Sequence, residues 1–561
     1  MISEKAGIKN LVEICVQKGI EKIIISPGSR NAPLILAFSK HPGIECLSIV
    51  DERSAAFFAL GIAQQSQKTV AIACTSGTAT LNFAPAIAEA FYQKIPLLVL
   101  TADRPVEWID QADSQTIKQN NIFSNYIKKT FQLPQKITSK DDIWYNDRII
   151  SEAINTCQFP DKGPVHINIP FTEPLYEGFE DKTKTPKIIE TAFTETKLSE
   201  KQIKVLAAKW NKYDKKLILT GLLEPSPKLN QLLANISHDE TVAILTETTS
   251  NLNYNNFLPC IDRIITTISN DEKNDFQPNL LITLGTQIIS KKIKAFLRKN
   301  KAIEHWHINP DVLHLDTYQC LTKNIPLTPV EFFSQLTNHI KHRQGEYFKT
   351  WKSRDIELEK KHEDFLSACE FSDMKVFETI LKAIPENSNL QMGNSTPVRY
   401  IQLFKFKKQL TFNCNRGTSG IDGTVSTAAG AAFSSQKLTT LIVGDLGFFY
   451  DSNGLWNKYV SKNLKVIIIN NGGGGIFRFI DGPSETEELE EFFVAEHNTN
   501  AENIAKTFNV NYFKANNQNG LKKALVDFYK PQEKAAILEI KTPQKENAII
   551  LKNYFKHLKE F

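Results

Sequence analysis

Asp445 and Asn471 are the residues whose type and setting point most directly to chemistry. Asp445 lies in Val443-Gly444-Asp445-Leu446-Gly447, at the end of the apolar stretch 440–443. Asn471 lies in Asn470-Asn471-Gly472-Gly473, a helix-length gap further on, at the end of the apolar stretch 466–469. Parallel sheets present ligand-binding groups at the carboxyl ends of their strands. A carboxylate, a carboxamide oxygen and the backbone of Gly473 are hard oxygen donors that suit a Mg²⁺ ion bridging to a diphosphate, and Mn²⁺ accepts the same donor types. One Gly-Asp-x-Gly is weak evidence. The same element followed by a second strand ending in Asn-Asn-Gly is much stronger.

Arginines recur at other strand ends. Arg30 follows Ser26-Pro27-Gly28-Ser29, Arg104 stands in Thr101-Ala102-Asp103-Arg104-Pro105, and Arg416 stands in Asn415-Arg416-Gly417-Thr418-Ser419-Gly420-Ile421-Asp422-Gly423. Arg399 follows Gly393-Asn394-Ser395 at the start of a helix. A guanidinium pairs bidentately with carboxylate, so four such residues suggest a pocket for an organic polyanion. For any single arginine, an ion pair with Asp51, Asp103 or Asp422 is an equally good reading. Glu52, in Asp51-Glu52-Arg53 ahead of an Ala- and Phe-rich helix, reads on its own as an acid at a helix N-terminus.

The elements that position these residues fall into three αβ blocks. Strand-like runs at 22–26, 46–50, 70–74, 96–101 and 165–170 alternate with helical patterns such as 54–65, which implies βαβ crossovers and a parallel sheet. A polar linker is expected at 180–186. A second block has strands near 217–220, 242–246, 281–284 and 305–308. A charged helix over 345–368, read as a solvated face, precedes a third block with strands near 389–392, 410–414, 440–443, 466–469 and 537–540.

The Asp445–Asn471 pairing resembles the diphosphate-binding motif of thiamine-diphosphate-dependent enzymes, with Leu446 where glycine is commonest. Three αβ blocks of similar size resemble the same architecture. The resemblance implies an α/β fold of three doubly wound parallel-sheet domains: pyrimidine-binding (1–180), central (195–340) and diphosphate-binding (350–561). It makes Glu52 the acid that hydrogen-bonds the cofactor's pyrimidine and activates it, the cofactor supplying the hard chemistry. The segments 25–30, 51–53, 75–79, 101–105 and 415–423 narrow the resemblance to the 2-succinyl-5-enolpyruvyl-6-hydroxy-3-cyclohexene-1-carboxylate synthases of menaquinone biosynthesis.

Those enzymes decarboxylate 2-oxoglutarate and add the product to isochorismate, and both substrates are dicarboxylates. The resemblance implies cofactor contacts at Glu52, Asn394, Ser395, Gly420, Ile421, Gly444, Asp445, Leu446, Gly447, Asn471, Gly473, Ile476 and Phe477. It implies metal ligation by Asp445, Asn471 and Gly473. Substrate contacts fall on Ser29, Arg30, Arg104, Gln115, Arg399, Arg416, Ile476 and Phe477. Gln115 carries over as a polar catalytic group from a segment in which Ser114 replaces Asn and Lys118 replaces Arg. Ile421 is the apolar side chain beneath the bent cofactor, where ordinary core packing is the competing reading. A homodimer or homotetramer with sites between chains is implied.

Composition excludes other classes. The 561 residues suggest about three domains at roughly 100–200 residues each. Apolar residues make up 41% and charged residues 23%, ordinary for a globular protein. A net charge of +5 is too small to indicate nucleic acid. No apolar stretch reaches membrane-spanning length, and residues 1–5 open no signal-peptide core. Eight scattered cysteines without Cys-x-x-Cys read as reduced thiols of a cytoplasmic protein. A nicotinamide or flavin oxidoreductase lacks its Gly-x-Gly-x-x-Gly turn here. An inactive binding protein on this fold is disfavoured by intact Glu52, Asp445 and Asn471.

Overall fold

The computed structural model describes residues 6–176, 185–192, 194–311, 314–406, 408–480 and 482–560. The N-terminal residues 1–5 lie outside the described residues. So does most of the expected linker, of which Thr185 and Pro186 are described and carry no regular secondary structure.

Three wholly parallel sheets form the frame. The first contains β1 (Lys22–Ile25), β2 (Glu45–Ser48), β3 (Val70–Cys74), β4 (Leu97–Asp103), β5 (Thr130–Gln132) and β6 (Val165–Pro170), in the order β2-β1-β3-β4-β6-β5. The middle sheet contains β7 (Lys216–Thr220), β8 (Val242–Thr246), β9 (Leu280–Leu284), β10 (Glu304–Ile308) and β11 (Lys323–Ile325), in the order β11-β10-β9-β7-β8. The third contains β12 (Asn389–Met392), β13 (Thr411–Cys414), β14 (Thr439–Gly444), β15 (Leu464–Asn470), β16 (Asn511–Ala515) and β17 (Ala536–Lys541), in the order β13-β12-β14-β15-β17-β16. Strands buried on both faces read as continuous apolar runs, and β3, β4, β6 and β15 are buried at every position.

Numbered from its own first strand, the third sheet has the strand order of the first. In both, the chain leaves the first strand in one direction and returns on its other side, making a switch point between the first and third strands. Ligands bind outside the carboxyl ends of strands at such a point. The switch lies between β1 and β3 in the first sheet and between β12 and β14 in the third.

The outer domains are joined by two helices, Glu52–Ser66 and Thr424–Ser434, each with a glycine at the crossing. A Cβ on Gly61 would lie 2.1 Å from the Thr427 carbonyl oxygen, and one on Gly430 would lie 2.0 Å from that of Phe58. Only glycine permits so close an approach of backbones. Ala55, Ala59 and Ala63 from one helix share a buried cluster with Val425, Ala428 and Ala432 from the other. A second cluster runs from the middle sheet into the third.

The charged segment is a single helix, Tyr347–Ala368, but it is more than a solvated face. It buries Tyr347, Trp351, Leu358 and Leu366, with Trp351 edge-on to Phe276 at 5.0 Å. All eight cysteines are free. Among the described residues no helix is long and apolar enough to cross a membrane.

Candidate active site

A cavity of about 430 Å³ opens at the switch point of the third sheet. The turn after β12 supplies Asn394 and Ser395, and the next helix, Thr396–Ile401, supplies Arg399. The end of β14 supplies Gly444, Asp445, Leu446 and Gly447. Asn471, Gly473, Ile476 and Phe477 follow β15, and Arg416 and Ile421 come from the loop after β13. The structure therefore gathers thirteen of the residues singled out from sequence around one cavity. Gly420 adjoins it, its carbonyl accepting from Asn394 Nδ2 at 2.7 Å.

Asp445 is nearly buried, and three backbone N–H groups hold its carboxylate. Leu446 donates to Oδ1 at 2.7 Å, and Gly472 and Gly473 donate to Oδ2 at 2.8 and 2.9 Å. Gly472 (φ 76°) and Gly473 (φ 142°) have the positive φ that suits glycine. Burial raises the Asp445 carboxyl above its usual range, against the pull of those N–H groups and of the nearby His497. His497 Nε2 lies 3.5 Å from Oδ2.

Asn471 donates its amide nitrogen to Asp373 Oδ2 at 3.0 Å. Among the described residues its amide oxygen accepts no hydrogen bond, so that oxygen is left for a cation. Asp373 also takes a 2.6 Å bond from the Thr542 hydroxyl, and burial pushes its carboxyl up to about 6.

The site fits a metal-bound diphosphate. Among the described residues no cluster of three or more His, Cys, Asp or Glu could hold a metal ion. A cation here would draw on one carboxylate, one amide oxygen and backbone carbonyls, with the remaining positions filled from the ligand and water, as suits Mg²⁺. A Cβ built on Gly444 meets no atom within 4 Å, so the backbone beside Asp445 faces open space.

Two cavity arginines have no carboxylate partner among the described residues. Arg399 Nη1 donates to the Ser395 carbonyl at 2.6 Å, and Arg416 Nη1 to Asn394 Oδ1 at 3.1 Å. Arg416 Nε is buried without a partner. Burial, then the neighbouring Arg416 charge, lowers the pKa of Arg399. Ser395 (φ 70°) and Ser419 (φ 66°), both lining the cavity, hold strained backbone of the kind that gathers at ligand sites.

The remaining residues lie in the first domain. Glu52 opens the helix Glu52–Ser66, half-buried, and burial raises its carboxyl above the usual range. Its neighbours are pinned to the third domain: Asn453 Nδ2 donates to Asp51 Oδ2 at 2.8 Å, and Arg53 Nη2 to the Tyr450 carbonyl at 2.9 Å. Arg30 is buried, pairs with Glu173 at 3.2 Å and feels the charge of Arg104. Arg104 donates to the Ser114 carbonyl at 2.8 Å and lies 3.5 Å from Asp113. Ser29 and Gln115 are exposed, Gln115 at φ 55°. Gln119 is the buried amide of that segment, accepting from Gly77 N–H at 2.9 Å and donating to Asn168 at 3.1 Å.

None of Glu52, Ser29, Arg30, Arg104 or Gln115 lines the cavity. The chain thus holds two groups of residues, one beyond the carboxyl ends of β1, β2 and β4 in the first sheet and one at the switch point of the third. Sequence reasoning passed over Asp373 and His497. Asp373 is 98 residues from Asn471 and reads only as a helix start behind Ser372, and His497 stands in no motif.

Comparison with known proteins gives the family of each of the three domains. Residues 6–122 match the model "Thiamine pyrophosphate enzyme, N-terminal TPP binding domain". Residues 187–392 match "Middle domain of thiamine pyrophosphate", and 392–540 match "Thiamine pyrophosphate enzyme, C-terminal TPP binding domain". The chain is 46% identical over 563 residues to the 2-succinyl-5-enolpyruvyl-6-hydroxy-3-cyclohexene-1-carboxylate synthase of Flavobacterium johnsoniae, covering 100% of both chains. The synthases of Flavobacterium psychrophilum (45%; 98% of each chain) and Porphyromonas gingivalis (38%; 99% of this chain and 98% of the relative) bear the same name.

Proposed function

The chain belongs to the 2-succinyl-5-enolpyruvyl-6-hydroxy-3-cyclohexene-1-carboxylate synthase family of thiamine pyrophosphate enzymes, and from that premise we propose that it joins 2-oxoglutarate to isochorismate. One C–C bond forms between the keto carbon of 2-oxoglutarate and the isochorismate ring, CO₂ leaves and one proton is taken up. The product is 2-succinyl-5-enolpyruvyl-6-hydroxy-3-cyclohexene-1-carboxylate, an intermediate of menaquinone biosynthesis. The observation that carries this reading is the pairing, in one cavity, of two arginines that lack carboxylate partners among the described residues with the Asp445–Asn471–Gly473 oxygen donors.

Thiamine diphosphate, when bound, supplies the carbon nucleophile and the electron sink. Asp445 and Asn471 would hold Mg²⁺ through side-chain oxygens and Gly473 through its carbonyl, with Mn²⁺ an alternative. Asn394, Ser395, Gly420, Gly444, Leu446 and Gly447 would line the cofactor. Ile421, 36% exposed on the cavity wall, would give the cofactor an apolar contact, and Ile476 and Phe477 would extend that apolar wall. Arg399 and Arg416 would bind substrate carboxylates bidentately. Glu52, whose carboxyl burial raises above the usual range, would hydrogen-bond the cofactor's pyrimidine ring.

The first-domain group (Ser29, Arg30, Glu52, Arg104, Gln115) and the cavity group lie apart within one chain. We therefore infer a homodimer, or a tetramer built from it, in which the first domain of one copy completes the cavity of another. Exposed Val50, Leu81 and Tyr450 beside the first-domain group support that surface. The eight free cysteines suit a reducing compartment, and we place the enzyme in the cytoplasm.

The test is purified protein with Mg²⁺, thiamine diphosphate, 2-oxoglutarate and isochorismate, with product identified by mass spectrometry. A product of the expected mass, formed only with both acids, supports the reading. Consumption of 2-oxoglutarate at the same rate without isochorismate refutes it.

A further inference from the structure

The loop 415–423 brings Arg416 to the cavity, yet its centre is held by other domains. It has glycine at 417, 420 and 423 and Ser419 at φ 66°, so little in its own sequence prefers one shape. Within the third domain Asn394 Nδ2 holds its two sides, donating to the carbonyls of Asn415 (2.5 Å) and Gly420 (2.7 Å). Gly417 and Thr418 are held from outside. Glu89, on the first-domain helix Ala84–Gln93, accepts from Gly417 N–H at 2.6 Å, from Thr418 N–H at 2.7 Å and from the Thr418 hydroxyl at 2.6 Å. Gln93 gives its carboxylate a fourth donor at 2.5 Å. From the middle domain Gln287, just past β9 at that sheet's own switch point, donates to the Gly417 carbonyl at 3.1 Å.

Glu89 is 1% exposed and forms no ion pair among the described residues. Burying a carboxylate is costly unless its oxygens are well bonded, and a plain domain contact would be served as well by apolar packing. What the four donors achieve is a fixed backbone beside Arg416. A Cβ on Gly417 would lie 2.6 Å from the Glu89 carbonyl oxygen, so the two backbones already touch. Arg416 needs such an anchor: its Nε is buried without a partner and its charge faces that of Arg399. A loop free to move would relieve that repulsion by withdrawing the side chain.

We propose that Glu89 is a positioning residue: by clamping Gly417 and Thr418 across the domain boundary it holds the Arg416 guanidinium in the cavity, ready for a substrate carboxylate. The proposal rests on the reading of Arg416 as a carboxylate-binding group. It also gives the middle domain a task, the second point of the clamp through Gln287.

The test compares Glu89→Gln, Arg416→Ala and the double variant in the two-acid assay, with thiamine diphosphate and Mg²⁺ affinity measured separately by thermal shift. In Glu89→Gln one carboxylate oxygen becomes an NH₂ group facing an N–H donor, so half the clamp opens. The KM of one acid should rise roughly tenfold in Glu89→Gln, the loss of about one charged hydrogen bond. Cofactor affinity should stay at the wild-type value. In the double variant KM should match Arg416→Ala alone, because Glu89 acts only through that arginine. Additive effects, or a wild-type KM in Glu89→Gln beside a raised one in Arg416→Ala, overturn the positioning role and leave the carboxylate pocket standing. A wild-type KM in Arg416→Ala overturns the pocket and the inference together. If Glu89→Gln does not fold, Thr418→Val, which removes only the hydroxyl contact, carries the same cycle with a KM rise of roughly threefold expected. A wild-type KM there overturns the proposal.

Discussion

Replacing Asp445 by Asn should separate metal binding from folding, and its two effects can be sized from the carboxylate's surroundings. Oδ2 accepts from Gly472 and Gly473, and Oδ1 accepts from Leu446. An amide oxygen placed at Oδ2 keeps the first two bonds, while the new NH₂ faces the Leu446 N–H. One half-buried donor loses its acceptor, at about 1 kcal/mol of stability in the cofactor-free protein. The second effect appears only with cofactor. Removing one partner of a buried charge pair costs about 2–5 kcal/mol, and a loss of about 2.7 kcal/mol corresponds to a Kd weakened roughly a hundredfold. At a cofactor concentration of about 100 times the wild-type Kd, binding stabilises the wild type by about 2.7 kcal/mol. The same solution stabilises the variant by about 0.4 kcal/mol. At roughly 2–4 °C per kcal/mol for a domain-sized unit, the cofactor-induced rise in Tm falls from about 5–11 °C to about 1 °C. The assay is a thermal melt with and without Mg²⁺ and thiamine diphosphate, read as the difference between the two curves. A full wild-type shift in Asp445→Asn would refute the assignment of Asp445 to the metal, whatever happens to the cofactor-free melting point.

Other outcomes follow from the same geometry. Glu52→Gln should bind cofactor nearly as tightly as wild type but slow C2–H/D exchange of the bound cofactor by roughly 10²–10⁴-fold, the usual loss for a positioned acid–base group; NMR exchange at the wild-type rate removes Glu52 from the mechanism. Arg399→Ala should raise the KM of one acid about ten- to a hundredfold with cofactor affinity unchanged, since a charged hydrogen bond is worth about 1.5–3 kcal/mol; unchanged steady-state constants for both acids count against the polyanion pocket. Gly430→Ala sets a methyl group 2.0 Å from the Phe58 carbonyl oxygen, and overpacking of this kind typically costs about 1–3 kcal/mol. A thermal melt equal to wild type would show that the two helices can separate freely.

The strands that the sequence revealed and those it concealed differ in one physical respect. The runs read as strands became interior strands or edges with some apolar character, because two covered faces demand apolar residues at every position. The strands missed were β5, β11 and β16, and each lies at a sheet edge. Edge strands need less burial: β11 is short with one buried residue, and β16 buries only Ala515. The site shows the same division. Asp445, Asn471 and the arginines were legible because each follows an apolar run in a turn rich in glycine or proline. Asp373 and Glu89 were not, because each meets its target only through the fold, 98 residues from Asn471 and 328 from Gly417. Gln119, the buried amide four residues beyond Gln115, was also passed over, because the irregular stretch 111–120 has no period to show which amide is covered.

The shared strand order of the outer sheets gives the two groups of residues a common logic. Each sheet switches between its first and third strands, and each brings a glycine close to the opposing strand end there. A Cβ on Gly28 would lie 2.4 Å from Thr75 Cβ, and one on Gly393 would lie 3.0 Å from the Ile442 carbonyl oxygen. The crevices are thus built alike but furnished differently. The first-domain switch carries Arg30, with Arg104 close enough for its charge to act on it. The third carries Asp445, with the turn that follows Asn471 held against its carboxylate. A switch furnished with cations suits carboxylates, and one furnished with hard oxygens beside Arg399 and Arg416 suits a metal–diphosphate next to a carboxylate. If Glu52 and the first-domain arginines serve the reaction of the third-domain cavity, which has Arg399 and Arg416 of its own, the two crevices must face each other. Within one chain the helices Glu52–Ser66 and Thr424–Ser434 pack the outer domains together at Gly61 and Gly430, and none of the first-domain group lines the cavity. In the proposed dimer the facing crevice comes from a second copy, so a variant held monomeric should still bind thiamine diphosphate weakly through its third domain while forming no product. Product formation by a stable monomer, verified by sedimentation at assay concentration, would show that one chain completes the site alone.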